Sequence, residues 1–225
     1  QNRGGGGFSW RILRDDRLGF SLIHQLNTGL DTGAIVSYSE YYFPHSCRVP
    51  VDYEKYSHEK NMQLFKEFIS GIESGIDFSP IGQPEYLSSY WPRLSTEIHG
   101  YIDWSWDLKD IERFICAFDD PYIGATTCVN GNKVRLKACM SGTSDGYFHP
   151  FQRGIIYRIS NGTFFIATPG GSLIVNDVRD EFENDFRDKL RVGDRFYTPS
   201  ELIDDALKSR VVYTPKGGAG NERRY

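Results

Sequence analysis

Two Asn-Gly pairs set the strongest constraint on what this chain can fold into. Asn130-Gly131 separates the apolar-rich runs 125–129 and 133–138, and Asn161-Gly162 separates 154–159 from 163–168. A two-residue turn that wants positive φ at both central positions, between β-branched and aromatic residues, forces its flanks into antiparallel hairpins. Pro169-Gly170-Gly171 then leads into the further apolar run 172–175. The second half of the chain is therefore expected to be a compact β-meander or small barrel.

The first half carries other periods. Residues 8–13 suit a short helix, and residues 19–24 form an apolar run fit for a buried strand, with His24 near its end. A glycine-containing turn presents Asp31, and Thr32-Gly33 opens a second strand-like run over 34–43 that Pro44 breaks. From about 52 to 74 the pattern is helical. Leu64, Phe65, Phe68, Ile69 and Ile72 share a face that reads as core, and Gly75 is a sensible stop. Residues 76–107 make a long connection rich in proline and aromatic residues, a length that usually has a job. Asp107 is placed to N-cap a helix whose buried stripe is Leu108, Ile111, Phe114, Ile115 and Phe118, and Asp119-Asp120-Pro121 ends it. Residues 141–146 read as a linker or exposed loop, 177–194 as a solvated charged stretch, 199–207 as a short helix, and 216–225 as loose.

Asp31 is the candidate for chemistry. A carboxylate between two strands, with glycines on either side, can sit where backbone closely approaches a ligand. The same residues also read as an Asx-type turn closing a bend, and Asp-Thr-Gly alone does not choose between the two. His45, Cys47 and His58 match no zinc-ligand spacing, so no metal is expected. His99 and Asp103 read as turn residues. Asn161-Gly162-Thr163 has the form of a glycosylation sequon but is better explained as the hairpin turn.

Three stretches together carry a resemblance. Leu30-Asp31-Thr32-Gly33-Ala34-Ile35, with His24 seven residues before Asp31, resembles the end of the catalytic domain of folate-dependent formyltransferases. Further on, Pro92-Arg93, Gly100-Tyr101-Ile102-Asp103-Trp104, Arg113-Phe114-Ile115-Cys116-Ala117-Phe118 and Pro121-Tyr122-Ile123-Gly124-Ala125 are similar to a series those enzymes carry in the same order. Asn2-Arg3-Gly4 is similar to the segment after the family's His-containing loop. The resemblance implies an α/β chain: residues 1–140 as the C-terminal part of a Rossmann-like catalytic domain, then 141–225 as a small β-rich, open-barrel-like domain. It implies transfer of a formyl group from 10-formyltetrahydrofolate to an amine. Asp31 would be the catalytic carboxylate and His24 a supporting group, with Thr32 and Gly33 lining the cofactor or acceptor cleft. The family's Asn-x-His, which holds the oxyanion, has no counterpart in this sequence. The chain accordingly reads as a fragment that begins in mid-domain and is inactive by itself.

Bulk properties bear on the acceptor. The 225 residues carry a net charge of -4, and the pI is about 5.8. No overall positive field draws the chain to nucleic acid. The expected acceptor is a small-molecule amine such as a nucleotide-linked amino sugar, with methionyl-tRNA the alternative. A non-catalytic interaction module that keeps the fold is a third reading, and a homodimer is compatible with all three. Four scattered cysteines fit a reducing cytoplasm better than a disulfide framework. No apolar run approaches the ~18 residues that a membrane span needs.

Overall fold

The computed structural model describes residues 2–4, 7–29, 31–214 and 217–223. Strand β1 (Asn2–Gly4) and helix α1 (Gly7–Leu13) precede a hairpin of β2 (Leu18–His24) and β3 (Ile35–Tyr42). Helix α2 (Pro50–Glu73) follows, with Pro50 in its first turn, where the missing N–H costs nothing, and Gly75 just past its end at φ +78°. The long connection is not structureless. It holds β4 (Ser89–Trp91), paired in parallel with β1, and α3 (Thr96–His99). Among the described residues, strand-to-strand parallel pairing is confined to β1 and β4.

Helix α4 (Leu108–Ala117) buries Ile111 and Ile115 completely and lies on a five-stranded antiparallel sheet. The sheet's strands are β5 (Ala125–Val129), β6 (Asn132–Gly142), β7 (Ile156–Ser160), β8 (Thr163–Thr168) and β9 (Gly171–Asp180). Their order across the sheet is β5-β6-β9-β8-β7. Asn130-Gly131 and Asn161-Gly162 sit in the left-handed region at both tight turns, as that chemistry requires. Helix α5 (Ser200–Lys208) leads into β10 (Ser209–Thr214), which pairs with β11 (Gly217–Arg223). The molecule is thus α/β with mixed sheets.

Several expectations need correction. The division at 140/141 falls inside β6, whose ladder with β9 runs from Val134 to Gly142, so strands from both sides of that boundary share one sheet. Residues 141 and 142 are strand rather than linker for the same reason. The C-terminal stretch expected to be loose contains β11, while residues 215, 216, 224 and 225 lie outside the described set. Asp107 occupies the N-cap of α4 without its side chain accepting a capping hydrogen bond. The apolar face of α2 divides. Leu64 is 5% exposed and Phe68 packs on Phe78, but Phe65, Ile69 and Ile72 are 51%, 39% and 51% exposed. They point about a third of a turn away from the seam that packs on the hairpin.

Two features tie α1 to its neighbours. Phe43, Tyr41 and Tyr53 form an aromatic cluster with Phe8, with ring centroids 4.4–6.3 Å apart. Ser9 donates to the carbonyl of Ala117 at 2.8 Å, tying α1 to the end of α4.

Candidate functional site

Strand β2 explains its own placement. Gly19 and Ser21 face inward; a Cβ on Gly19 would lie 2.2 Å from the Tyr41 ring, so only glycine lets the two strands close there. Leu18, Phe20 and Leu22 alternate onto the opposite face. Their cross-strand partners are Tyr42, Glu40 and Tyr38. That second face is the floor of an open groove of about 660 Å³, within the range of small-ligand sites. Arg11 and Arg14 stand at its rim, and Ile81, Gln83 and Leu87 wall the far side.

The turn beyond β2 holds the candidate residues. Asp31 is exposed and takes a left-handed φ of +53°, a conformation that Asp tolerates better than most side chains. Thr32 donates its hydroxyl to the Asn27 amide oxygen at 2.7 Å, and the Gly29 amide donates to the same oxygen at 3.1 Å. The turn is therefore closed by Asn27 rather than by the Asp31 carboxylate. Gly33 is buried, and a Cβ there would stand 1.7 Å from the Gln25 carbonyl oxygen and 3.3 Å from His24 Nδ1. His24 Nδ1 lies 3.0 Å from the Gln25 carbonyl oxygen, which favours a proton on that nitrogen.

A clamp from fifty residues away holds this turn. Gln83 donates from Nε2 to the carbonyls of Asp31 (3.2 Å) and Gly33 (2.6 Å). Ile35 and Ile81 exchange both backbone hydrogen bonds at 2.8 Å. Gln83 and Ile35 also line the groove, so the Asp31 turn adjoins it through them.

The structure therefore places His24 beside Gly33 and links the backbone of the Asp31 turn to the groove through Gln83. Asp31, His24, Thr32 and Gly33 themselves do not form the groove's wall. Sequence reasoning missed Gln83, Arg11, Arg14 and the Leu18-Phe20-Leu22 floor. Alternation along β2 could have found the floor, whereas nothing local marks Gln83. The two arginines at the rim have neighbours of their own: Arg11 bonds Asp16 at 3.0 Å and the Leu18 carbonyl, and Arg14 lies 5.5 Å from the centre of the Trp91 ring. Among the described residues, no group of three His, Cys, Asp or Glu side chains is gathered as for a metal ion, and no helix is long and apolar enough to cross a membrane.

Comparison with known proteins bears on both halves. Residues 95–185 match the family described as formyl transferase, C-terminal domain. A methionyl-tRNA formyltransferase from Agathobacter rectalis is 26% identical over 186 residues, 79% of this chain and 55% of that protein. The chain spans about half the length of the curated relatives it matches. HypX from Aquifex aeolicus superposes with a TM-score of 0.64 at 18% identity, over 92% of this chain and 35% of that one. Its complex with tetrahydrofolic acid gives 0.59 at 20% identity, over 92% and 34%. An N-formyltransferase from Helicobacter canadensis, in complex with folinic acid and dTDP-3-aminofucose, gives 0.59 at 19% identity, over 78% and 61%. At these identities the structural likeness is one of fold.

Proposed function

We propose that the chain belongs to the formyltransferase family, whose C-terminal domain residues 95–185 match, and that it supplies one part of a divided centre. That centre moves a formyl group from 10-formyltetrahydrofolate to the amine of a small acceptor. The observation that carries this reading is the Asp31 turn, whose backbone Gln83 links to an open groove. The groove's size and its mixed floor of Phe20, Leu22 and Tyr38 suit a flat heteroaromatic group with polar edges. Fold neighbours in complex with tetrahydrofolic acid and with folinic acid support a folate co-substrate.

The folate, when bound, supplies the formyl carbon. In this proposal Asp31 takes a proton from the attacking amine, directly or through an imidazole that it orients. His24, held by the Gln25 carbonyl and packed on Gly33, supports the turn. Thr32 and Gly33 keep the turn compact enough for a ligand to approach its backbone. Donors for the developing oxyanion come from an Asn-x-His that residues 1–225 do not contain. Purified residues 1–225 should therefore show no formyl transfer alone. Joined to a segment that supplies an Asn-x-His, the chain should be active, and Asp31→Asn should lower that rate by ~10²–10⁴. Full activity in that variant, or turnover by residues 1–225 alone, refutes the assignment.

A nucleotide-linked amino sugar is the favoured acceptor, supported by the dTDP-aminosugar in a fold neighbour and by the chain's net charge of -4. Methionyl-tRNA is the second reading, favoured by the sequence relatives. Binding of tRNA that weakens steeply with salt would select it.

A further inference from the structure

Helix α4 and strand β6 bring two thiols together at the wall of a second cavity. Its volume is about 260 Å³, and it shares no lining residue with the groove beside Asp31. Cys116 lines it, with Arg48, Lys109, Glu112, Arg113 and His45 around it. Arg48 Nη2 lies 3.8 Å from Cys116 Sγ, and the same nitrogen bonds Glu112 Oε1 and the Cys139 carbonyl, each at 2.7 Å. Cys139 is 2% exposed and donates its S–H to the carbonyl of Glu112, one turn before Cys116 on α4, at 3.7 Å. A guanidinium is thus fixed against one sulfur of a buried pair, and that sulfur faces space large enough for a small reagent.

The two thiols are not equivalent. The neighbouring Cys139 thiol pulls Cys116 below the usual thiol range, burial opposes this, and the Arg48 charge adds to the lowering. The Cys116 sulfur and burial together push Cys139 up. Cys47 and Cys128 are also pushed up, chiefly by burial. Among the four cysteines Cys116 alone is shifted toward the thiolate, and the other three are shifted away from it.

We propose that Cys116 and Cys139 form an oxidation site for a small hydroperoxide, which converts the pair into a disulfide joining α4 to β6. The Cys116 thiolate attacks the distal peroxide oxygen and the O–O bond breaks. Cys116 becomes a sulfenic acid, and the alcohol, or water from hydrogen peroxide, leaves after taking up a proton. Cys139 then gives up its proton and attacks the Cys116 sulfur. The S–O bond breaks, water leaves, and the S–S bond forms. Two thiols together lose two electrons, and the hydroperoxide gains them.

The test is peptide mapping of the intact chain. The protein is treated with one equivalent of hydrogen peroxide, quenched into urea with iodoacetamide, and digested without reduction. The expected product is a Cys116–Cys139 peptide pair, lighter by two hydrogens, that dithiothreitol separates, while Cys47 and Cys128 are alkylated. In Cys139→Ser, dimedone should label Cys116; in Cys116→Ser, neither label nor link should appear at Cys139. Alkylation of Cys116 and Cys139 while Cys128 is oxidised overturns the proposal. So does a link that forms only when the peroxide is added in urea. The wild-type measurement decides the matter even where a serine variant is poorly folded.

Discussion

Gly33 is the residue at which the turn's geometry is least forgiving. The obstacle to a side chain there is a backbone oxygen, that of Gln25, which also bounds the site of the bond between Gln25 N and the Ala34 carbonyl. Gly33→Ala should therefore push the turn off Gln83 and cost about 1–3 kcal/mol, the usual range for forced overpacking. Chemical denaturation measures the loss, and an unchanged midpoint would mean that the turn has room to spare. Asp31 should behave oppositely. Its carboxylate is exposed and does not close the turn, so Asp31→Asn should leave stability within about 0.5 kcal/mol while abolishing its proposed role. A loss of fold in that variant would reassign Asp31 to a structural part. The sequence made Asp31 conspicuous through its flanking glycines. Asn27 was equally available and passed unnoticed, because an amide that closes a turn looks like any polar loop residue.

At the scale of elements, α2 separates what periodicity reports from what packing decides. The spacing of Leu64, Phe65, Phe68, Ile69 and Ile72 established a helix and a shared side. It did not establish that anything covers the whole of that side. In this chain Leu64 packs inward while Phe65, Ile69 and Ile72 meet solvent. Leu64→Ala should cost about 2–5 kcal/mol. Phe65→Gln, Ile69→Gln and Ile72→Gln should each fall within about 0.5 kcal/mol. Equal costs at the inward and outward positions, read by denaturant melts of this chain, would show that the outer stripe is covered in solution. The hairpins illustrate the favourable case. Their Asn-Gly turns and alternating strands agree at every level, so β5–β6 and β7–β8 were legible from local chemistry alone.

At the scale of the whole molecule, the ion pairs of Glu112 on α4 with Arg48 and Lys109 set a response to acid. Burial by itself would raise Glu112, but hydrogen bonds from Ser141 and Lys109 and the nearby charges of Lys109 and Arg48 prevail, holding its carboxyl below the usual 4.5. A group depressed in the folded state contributes stability above its unfolded value and loses it as pH falls through the folded value. The melting temperature should therefore drop as pH is lowered from about 5 toward 3, and Glu112→Gln should flatten that slope. Asp185, brought to about 2 by its hydrogen bonds and ion pair with Arg187, is exposed. Solvent and salt screen that pair, so Asp185→Asn should leave the slope nearly unchanged. An equal effect from both variants would locate the acid sensitivity elsewhere.

The sequence by itself determined the local pieces: the hairpins with their turns, the longer helices with their stops, and an aspartate in the turn between two strands. Each follows from interactions among residues near one another along the chain, where propensity and alternation act. Only the tertiary structure decided that β6 runs on to join β9 across an expected boundary, and that Gln83 reaches back to the Asp31 turn. It alone decided that half of a helical face stays open, and that Cys116 meets Cys139 beside Arg48. Those outcomes depend on which surfaces meet after the elements form, and no local pattern encodes the identity of a distant partner.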